Sequence, residues 1–305
     1  MVKQKIKKKL VFLGDTNSIN IELIIKSFKY VKKKVFYVVI CNKRELLRNT
    51  LLKNSQIEIN EIFDPIEFND YKKDSLNIYN IENKTKKKYL NLLNQISISN
   101  YLANLTKFDL ITMPIDKSIF KRKINFIGMT EHLGSLNKTN TIMLLHGEKF
   151  SVIPITTHIN LKDIFKSLKK SYLNSFIRSV LLNLQKDFYK LKYKYIKFLC
   201  FNPHCGENGT LGNEDILIRN IVKKYSKIKG IYSADSAFQR INKNTLFIST
   251  YHDQALIPFK ILNRESLNIT LGLNYRRLSP AHGTAKDIKN KNIADNTSYI
   301  KCLLF

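Results

Sequence analysis

Short apolar runs alternate with longer amphipathic stretches along most of the 305-residue chain. Short apolar runs are typical of buried strands, whereas apolar residues spaced three and four apart are typical of helices. We predict strands at 10–13, 35–41, 109–113, 141–145, 151–155, 196–201 and 246–250. Helices are predicted at 21–30, at 90–105 and from about 160 to 195, whereas residues 65–90 are polar and irregular. This alternation indicates βαβ units around a mostly parallel sheet.

Two features refine this pattern. Asn160 is a plausible N-cap for the long helix, with Asp163 at its third position, where a carboxylate favours a helix N-terminus. The strands at 141–145 and 151–155 flank Gly147 and predict a turn between them. No internal repeat or linker is visible, so any two domains would share one continuous α/β body.

The composition indicates a globular protein. Hydrophobic residues make up 44% of the chain, which is enough for a sizeable core. The longest uninterrupted apolar runs fall far short of the roughly 20 residues that span a membrane. The basic stretch 3–9 and the apolar run after it lack the length and cleavage site of a secretory signal. These two features predict a protein that does not bind a membrane. The four cysteines form no CxxC pair, so we expect them to be reduced in a cytoplasmic protein.

The net charge of +28 raises the possibility of nucleic-acid binding. However, the basic residues are mostly Lys, they lie in short runs along the whole chain, and no aromatic residues alternate with them. A solvated basic surface is therefore favoured over a specific nucleic-acid site, which stays open as an alternative.

Three of the six histidines occupy equivalent positions. His158, His204 and His252 each follow a predicted strand and lie in a polar segment. Open α/β sheets place ligands at the carboxyl ends of their strands. Three neutral imidazoles meeting there would bind a first-row divalent metal, with Asp235 and Asp253 as candidates for a fourth ligand or for orienting an imidazole. The alternative is that they are three unrelated loop histidines.

The glycine motifs that usually bind phosphate are missing from the sequence. No G-x-G-x-x-G follows a predicted strand, and no G-x-x-x-x-G-K-[ST] occurs. Any phosphate would have to be bound by side chains, and Lys260, Arg276 and Arg277 follow the third histidine.

Several segments together resemble the 4-hydroxythreonine-4-phosphate dehydrogenase family of pyridoxal phosphate biosynthesis. The most specific are NPHCGENG at 202–209 and YHDQ at 251–254, followed by NITLGL at 268–273 and HGTA at 282–285. The remaining segments, which agree in order along the chain, are TMPIDK at 112–117, GMTE at 128–131, TTH at 156–158, and ADS at 234–236 with Phe238.

The resemblance implies a fold, an assembly and a set of ligands. It implies a three-layer α/β/α fold of the isocitrate/isopropylmalate-dehydrogenase kind, with residues 1–305 forming one catalytic domain of two intimately joined subdomains. It also implies a homodimer whose active site lies in the cleft between subdomains at the interface. NAD, with NADP as an alternative, would bind without the Rossmann glycines. One divalent ion (zinc, magnesium or cobalt) would be bound by His158, His204 and His252 from both subunits.

The reaction also follows from the resemblance. It is oxidation of 4-phosphohydroxy-L-threonine to 2-amino-3-oxo-4-(phosphooxy)butanoate, which decarboxylates to 3-amino-2-oxopropyl phosphate. The metal would act as a Lewis acid. The family's substrate contacts correspond here to Met129, Thr130, Lys260, Asn268 and Arg277, and either Asp235 or Asp253 would serve as base or metal neighbour.

This chain departs from the family at several positions. The first loop, 14–22, has Ser18 and Asn20 where the family has glycines, so we expect it to be strained or reshaped. Met129 replaces a histidine and cannot donate a hydrogen bond to phosphate, Ala281 replaces an aspartate, and the C-terminal helix is expected to stop short at Phe305. A catalytically weakened relative with only a binding role is therefore a second hypothesis.

Overall fold

A computed structural model describes residues 8–305 as alternating strands and helices. Residues 3–7 of the basic stretch considered above lie outside the described residues. In chain order the strands are β1 (Lys8–Phe12), β2 (Phe36–Cys41), β3 (Ile59–Glu61), β4 (Leu76–Asn80), β5 (Asp109–Thr112), β6 (Ile142–Gly147), β7 (Phe150–Pro154), β8 (Tyr195–Leu199), β9 (Ile228–Tyr232), β10 (Thr245–Ser249), β11 (Ser266–Leu271) and β12 (Arg277–Pro280). The helices are α1 (Asn20–Val31), α2 (Lys43–Leu47), α3 (Thr50–Asn54), α4 (Lys88–Thr106), α5 (Met129–Leu136), α6 (Ile164–Ser167), α7 (Lys170–Leu184), α8 (Glu214–Val222), α9 (Ala234–Ala237), α10 (His252–Leu262) and α11 (Thr297–Leu304).

The chain divides into two compact units. Unit 1 comprises Met1–Thr141 and Leu267–Phe305, and unit 2 comprises Ile142–Ser266. Each unit has strands flanked by helices, which confirms the predicted α/β class. No helix within residues 8–305 is both long and apolar enough to cross a membrane.

The strands of unit 1 lie in the order β3-β4-β2-β1-β5-β12-β11. They pair in parallel except for β11, which is antiparallel to β12. Helix α4 packs on β1 and β5 through a core that includes Phe12, Ile96 and Tyr275, each at most 1% exposed. Because β11 is antiparallel, its start lies beside the carboxyl ends of β12 and β5.

The strands of unit 2 lie in the order β6-β7-β10-β8-β9. Strand β6 is antiparallel to β7, as the turn at Gly147 predicted, whereas β7, β10, β8 and β9 are parallel. Helix α10 packs on β7 and β10 through Phe259, which contacts Phe150 edge to face. The carboxyl ends of β7, β10 and β8 therefore lie side by side.

Two sequence predictions were wrong in detail. Residues 65–90 contain β4, whose apolar side chains Leu76 and Ile78 alternate with Asn77, a buried amide that bonds the neighbouring loop. The long helix from 160 to 195 is interrupted. Asn160 does cap a turn by accepting from the Lys162 amide, but the chain leaves helical geometry at Leu168 and Lys169, and the main helix is α7. After α7 the apolar residues alternate with lysines, a spacing that does not suit a helix.

Candidate active site

The three histidine-bearing loops leave unit 2 at one edge of its sheet. Strands β7, β8 and β10 are parallel neighbours that end at Pro154, Leu199 and Ser249. His158, His204 and His252 follow these ends within five residues. Parallel strands end at a common edge, where ligands of α/β sheets bind.

Side chains from two of these loops tie all three together. The Thr156 hydroxyl donates to the Thr250 carbonyl at 2.8 Å, which joins the first loop to the third. Gln254 accepts from the Thr250 amide at 3.0 Å and donates to the Cys200 carbonyl at 2.6 Å, which joins the third to the second. Each histidine thus lies within a few residues of a cross-link between loops.

We expect Gln254→Leu to weaken metal binding more than it weakens the fold. The loops would lose the hydrogen bonds that fix their spacing, and loss of such supporting contacts typically costs about 10–100-fold in metal affinity. The Kd for cobalt(II), measured by its absorption spectrum, checks this result beside the melting temperature. Gln239→Leu, an exposed change in the same unit, is the matched control. Equal cobalt affinity in both variants would remove Gln254 from this positioning role.

The loop that carries His204 has an unusual backbone. Residues 204–208 all have positive φ, between 43° and 75°. Left-handed geometry costs an L-residue about 1–2 kcal/mol, and such residues cluster at functional sites. Buried Asp215 fixes the start of this loop by accepting from the Phe201 amide at 2.6 Å and the Asn202 amide at 2.8 Å.

Two of the histidines lie close together, and two have a carboxylate neighbour. The rings of His158 and His252 are 6.5 Å apart between centroids. His252 Nδ1 donates to Asp253 at 2.6 Å, which leaves Nε2 as the nitrogen that can bind a metal. His204 Nδ1 lies 3.9 Å from Asp235, and a hydrogen bond from the Ser233 hydroxyl lowers the pKa of that carboxyl. Both aspartates are therefore beside imidazoles.

The donor set fits a divalent metal only in part within one chain. Imidazole nitrogens suit zinc, cobalt and similar first-row ions. Within residues 8–305 of a single chain, however, no group of three His, Cys, Asp or Glu side chains is arranged to hold a metal ion. One chain brings His158 and His252 together, and His204 pairs with Asp235 instead.

Unit 1 contains a buried guanidinium surrounded by hydroxyl groups. Arg277 donates from Nε to Thr112 at 2.8 Å, and from Nη1 to Thr270 at 2.9 Å and to Thr130 at 3.3 Å. Burial lowers the pKa of Arg277 to about 10, so it remains protonated at neutral pH. Its hydrogen bonds go to threonine hydroxyls, and Glu131 is close enough to act on it electrostatically. A buried guanidinium held mainly by neutral hydroxyls is suited to binding an anion.

The other substrate residues named above are placed differently. Asn268 on β11 has a buried Oδ1 with no hydrogen-bond partner among the described residues. Met129 begins α5 and packs against the core of unit 1. Lys260 is exposed near the end of α10, the helix that begins at His252.

Arg276, considered above for phosphate, has a structural partner. Its Nε and Nη2 donate to the two oxygens of Asp109, at 2.9 and 2.5 Å, and the same carboxylate accepts from buried Lys9 at 2.9 Å. This carboxylate holds Arg276, so the expectation that it binds phosphate was wrong. Adjacent residues of an extended chain point to opposite faces, which explains why Arg277 differs.

The first loop is not strained at the two positions that lost glycine. Neither Ser18 nor Asn20 has positive φ. The Asn20 amide donates to the Leu13 carbonyl at 2.9 Å and the Pro114 carbonyl at 2.8 Å, and Ser18 donates to the Asp15 carbonyl. Gly14, with φ of 75°, is the position that requires glycine, since a Cβ there would lie 2.4 Å from the Pro114 oxygen.

A cavity of about 300 Å³ in unit 1 adjoins this loop. Its cations are Arg48, Lys88 and Lys289, and the Lys289 ammonium donates to Asn17 in the loop at 2.8 Å. The Ile19 amide donates to the Thr284 carbonyl, which connects the loop to the HGTA segment. The lining also includes Glu45, and Lys88 is paired with buried Asp15 at 2.7 Å. Arg48 and Lys289 are therefore the cations best placed to hold the phosphates of a dinucleotide without a glycine-rich loop.

Some contributors to the site were not foreseen from the sequence. Thr112, Thr156, Thr270 and Gln254 lie within the recognised segments, but their roles depend on which loops meet in space. Asp215 lies outside those segments. Its position in the first turn of the helix that follows the NPHCGENG run is the sequence feature that could have indicated its role.

Comparison with known proteins decides the relationship. The family model for the pyridoxal phosphate biosynthetic protein PdxA matches residues 34–305. The chain belongs to the PdxA family. The 4-hydroxythreonine-4-phosphate dehydrogenase of Sulfurihydrogenibium sp. (strain YO3AOP1) is 34% identical over 97% of this chain and 96% of its own. That of Aquifex aeolicus (strain VF5) is 34% identical with the same coverage.

A solved structure agrees with this membership of the PdxA family. The crystal structure of 4-hydroxythreonine-4-phosphate dehydrogenase from Klebsiella pneumoniae has a TM-score of 0.82 and 26% identity, covering 97% of each chain. The family resemblance predicted from the sequence is confirmed.

Proposed function

We propose that the chain is a 4-hydroxythreonine-4-phosphate dehydrogenase that oxidises 4-phosphohydroxy-L-threonine in pyridoxal phosphate biosynthesis. The observation that carries the proposal is the set of three cross-linked histidine loops at one edge of unit 2, in a member of the PdxA family. The product would be 2-amino-3-oxo-4-(phosphooxy)butanoate, which decarboxylates to 3-amino-2-oxopropyl phosphate.

His158, His204 and His252 would hold the divalent metal. When bound, the metal supplies Lewis-acid stabilisation of negative charge on the substrate oxygen. The chain's own contribution is to orient the imidazoles. Asp253 fixes the tautomer of His252, and the cross-links of Thr156 and Gln254 fix the spacing of the loops.

Arg277 and Thr130 would bind an anionic group of the substrate. The guanidinium is held by Thr112 and Thr270, so its orientation is set before the substrate arrives. The unpartnered Asn268 Oδ1 would accept a hydrogen bond from the substrate's ammonium or hydroxyl group. Lys260, exposed on α10 of unit 2, would contribute a positive charge for the substrate phosphate. Because Met129 cannot donate a hydrogen bond, phosphate binding would depend on the groups named above.

The two aspartates would have different tasks. Asp253 accepts from His252 and therefore acts as a positioning residue. Asp235 is exposed and ionised beside His204, so it is the better placed of the two to accept the proton of the substrate hydroxyl.

The dehydrogenases of this family imply a nicotinamide cofactor, and we propose NAD. The cavity lined by Arg48, Lys88 and Lys289 would hold its pyrophosphate. Comparison of initial rates with NAD and NADP tests the choice of cofactor.

We propose that the active form is a homodimer in the cytoplasm. Metal ligands from two chains would complete the partial set of one chain. Large exposed apolar side chains flank the histidine loops and would be covered in a dimer. They include Leu161, 69% exposed, and the pair Ile257 and Ile261 on α10, 58% and 73% exposed.

We expect Ile257→Asp combined with Ile261→Asp to convert the dimer to a monomer and to abolish metal binding and turnover together. Two carboxylates cannot be buried in an apolar interface without a large desolvation cost. Sedimentation at the assay concentration measures the change. Leu182→Asp, an exposed leucine on α7 of the same unit, is the control and should remain dimeric. A fully active monomer would contradict the shared-site proposal.

The activity itself is tested by adding 4-phosphohydroxy-L-threonine, NAD and a divalent metal to the purified protein. The expected result is NADH formation that a chelator abolishes. Binding of the substrate without NADH formation would instead support the weakened relative. DNA binding that falls steeply with salt, without activity, would support the basic nucleic-acid protein.

A further inference from the structure

A second cavity, of about 670 Å³, lies at the opposite edge of unit 2 from the histidines. Its lining includes Lys194, Lys227 and Asn244, which directly precede β8, β9 and β10. Because these strands are parallel, their starts and their ends lie at opposite edges of the sheet. The cavity is therefore distinct from the candidate active site.

The inner wall of this cavity is apolar. Leu191 and Ile196 are each 6% exposed, and Leu181 and Leu184 lie three residues apart on one face of α7. Tyr193 also contributes to the wall, and its hydroxyl is held by donation to Ser151 at 2.8 Å. This surface suits an apolar body rather than a bare ion.

The rim of the same cavity is positively charged. Lys192, Lys194, Lys227 and Lys229 line it, all four are exposed, and the lining includes no Asp or Glu. Within residues 8–305, none of the four ammonium groups has a carboxylate within 4 Å. Four lysines around one cavity create a positive potential that an anion would neutralise.

We propose that this cavity binds an organic anion that combines a negatively charged group with an apolar body. The volume lies within the roughly 300–1,000 Å³ of small-molecule sites, which are mostly apolar with a few charged groups. The anionic group contacts the lysines and the apolar body contacts the leucines. A nucleoside polyphosphate and a fatty-acid carboxylate share this chemistry, and the experiment separates them.

The chain contains no tryptophan, so Ser226→Trp at the rim provides a single fluorescent reporter. Anilinonaphthalene sulfonate, an apolar aromatic anion, should accept energy from this reporter when it occupies the cavity. Changing Lys192, Lys194, Lys227 and Lys229 to Gln should raise the Kd of the probe by about tenfold or more. Each charge contact contributes a modest free energy, and the four contributions add. Leu184→Asn should also raise it.

The matched control changes four exposed lysines of unit 1, namely Lys33, Lys53, Lys121 and Lys123, to Gln. The net charge falls equally, and the Kd of the probe should stay unchanged. His204→Ala should also leave it unchanged, because the active-site edge is not involved. Displacement of the probe by ATP identifies the polyphosphate class, and displacement by oleate identifies the carboxylate class.

Three results would overturn the proposal. The first is an equal loss of probe binding in both lysine variants, and the second is the absence of energy transfer from the reporter. The third is displacement by inorganic triphosphate as effective as that by ATP and oleate, because the apolar wall would then contribute nothing.

Discussion

Replacing Arg277 with Met should lower kcat/KM for 4-phosphohydroxy-L-threonine by about 10–150-fold. The substrate anion would lose a charge-assisted contact, which typically contributes about 1.5–3 kcal/mol. Both KM and kcat should worsen, because a misoriented substrate also loses the geometry for reaction. Arg277→Lys should recover little, since an ammonium cannot replace a guanidinium held by Thr112 and Thr270. Steady-state kinetics of the three proteins measure the effect.

The control for this change is Arg178→Met, which removes the same charge from an exposed position on α7. Its kinetics should match those of the wild type. Melting temperatures should show that Arg277→Met is folded, because the change removes a charge from a buried site without adding one. Unaltered kinetics in Arg277→Met would mean that the guanidinium does not contact the substrate.

Replacing His158, His204 or His252 with Ala should remove the metal and lower turnover by about a thousandfold or more. Each variant loses one of the few ligands of the ion. The metal would stabilise the transition state by several kcal/mol, so its loss slows the reaction strongly. The fold should survive, because these histidines lie in loops beyond the strand ends rather than in the core. Metal content and turnover of each purified variant measure the result.

The remaining histidines supply the controls. His132 packs against Phe126 in unit 1, His146 contacts Ser151 at 2.9 Å, and His282 donates to the Gly283 carbonyl. Their replacement by Gln should leave the metal content unchanged, although His282 lies in the HGTA segment and its loss should weaken cofactor binding. Undiminished metal in all three active-site variants would end the metal-dehydrogenase account.

The sequence pattern predicted the parts of the fold that depend on local periodicity. The apolar runs located the ends of β7, β8 and β10, and therefore the loops of the three histidines. It could not predict which strands are neighbours, because the order β7-β10-β8 depends on long-range pairing. The cross-links of Thr156 and Gln254 follow from that order, so their roles became clear only in the structure.

Other features depend on a balance that composition does not reveal. Arg276 and Arg277 are chemically identical neighbours, yet one pairs with Asp109 and the other faces three threonines. Residues 204–208 have positive φ angles, in a loop whose start is anchored by Asp215 from a later helix. The break after Leu168 contradicts a continuous helical pattern, since packing overrides local preference there.

The most direct test is an anomalous difference map from crystals grown with zinc or cobalt and the phosphorylated substrate. We expect one strong peak per site, within about 2.0–2.1 Å of nitrogens of His158, His204 and His252 drawn from two chains. A substrate oxygen should complete the coordination. A map in which the metal lies away from these histidines, or in which they remain unbound while the substrate is bound, would contradict this expectation.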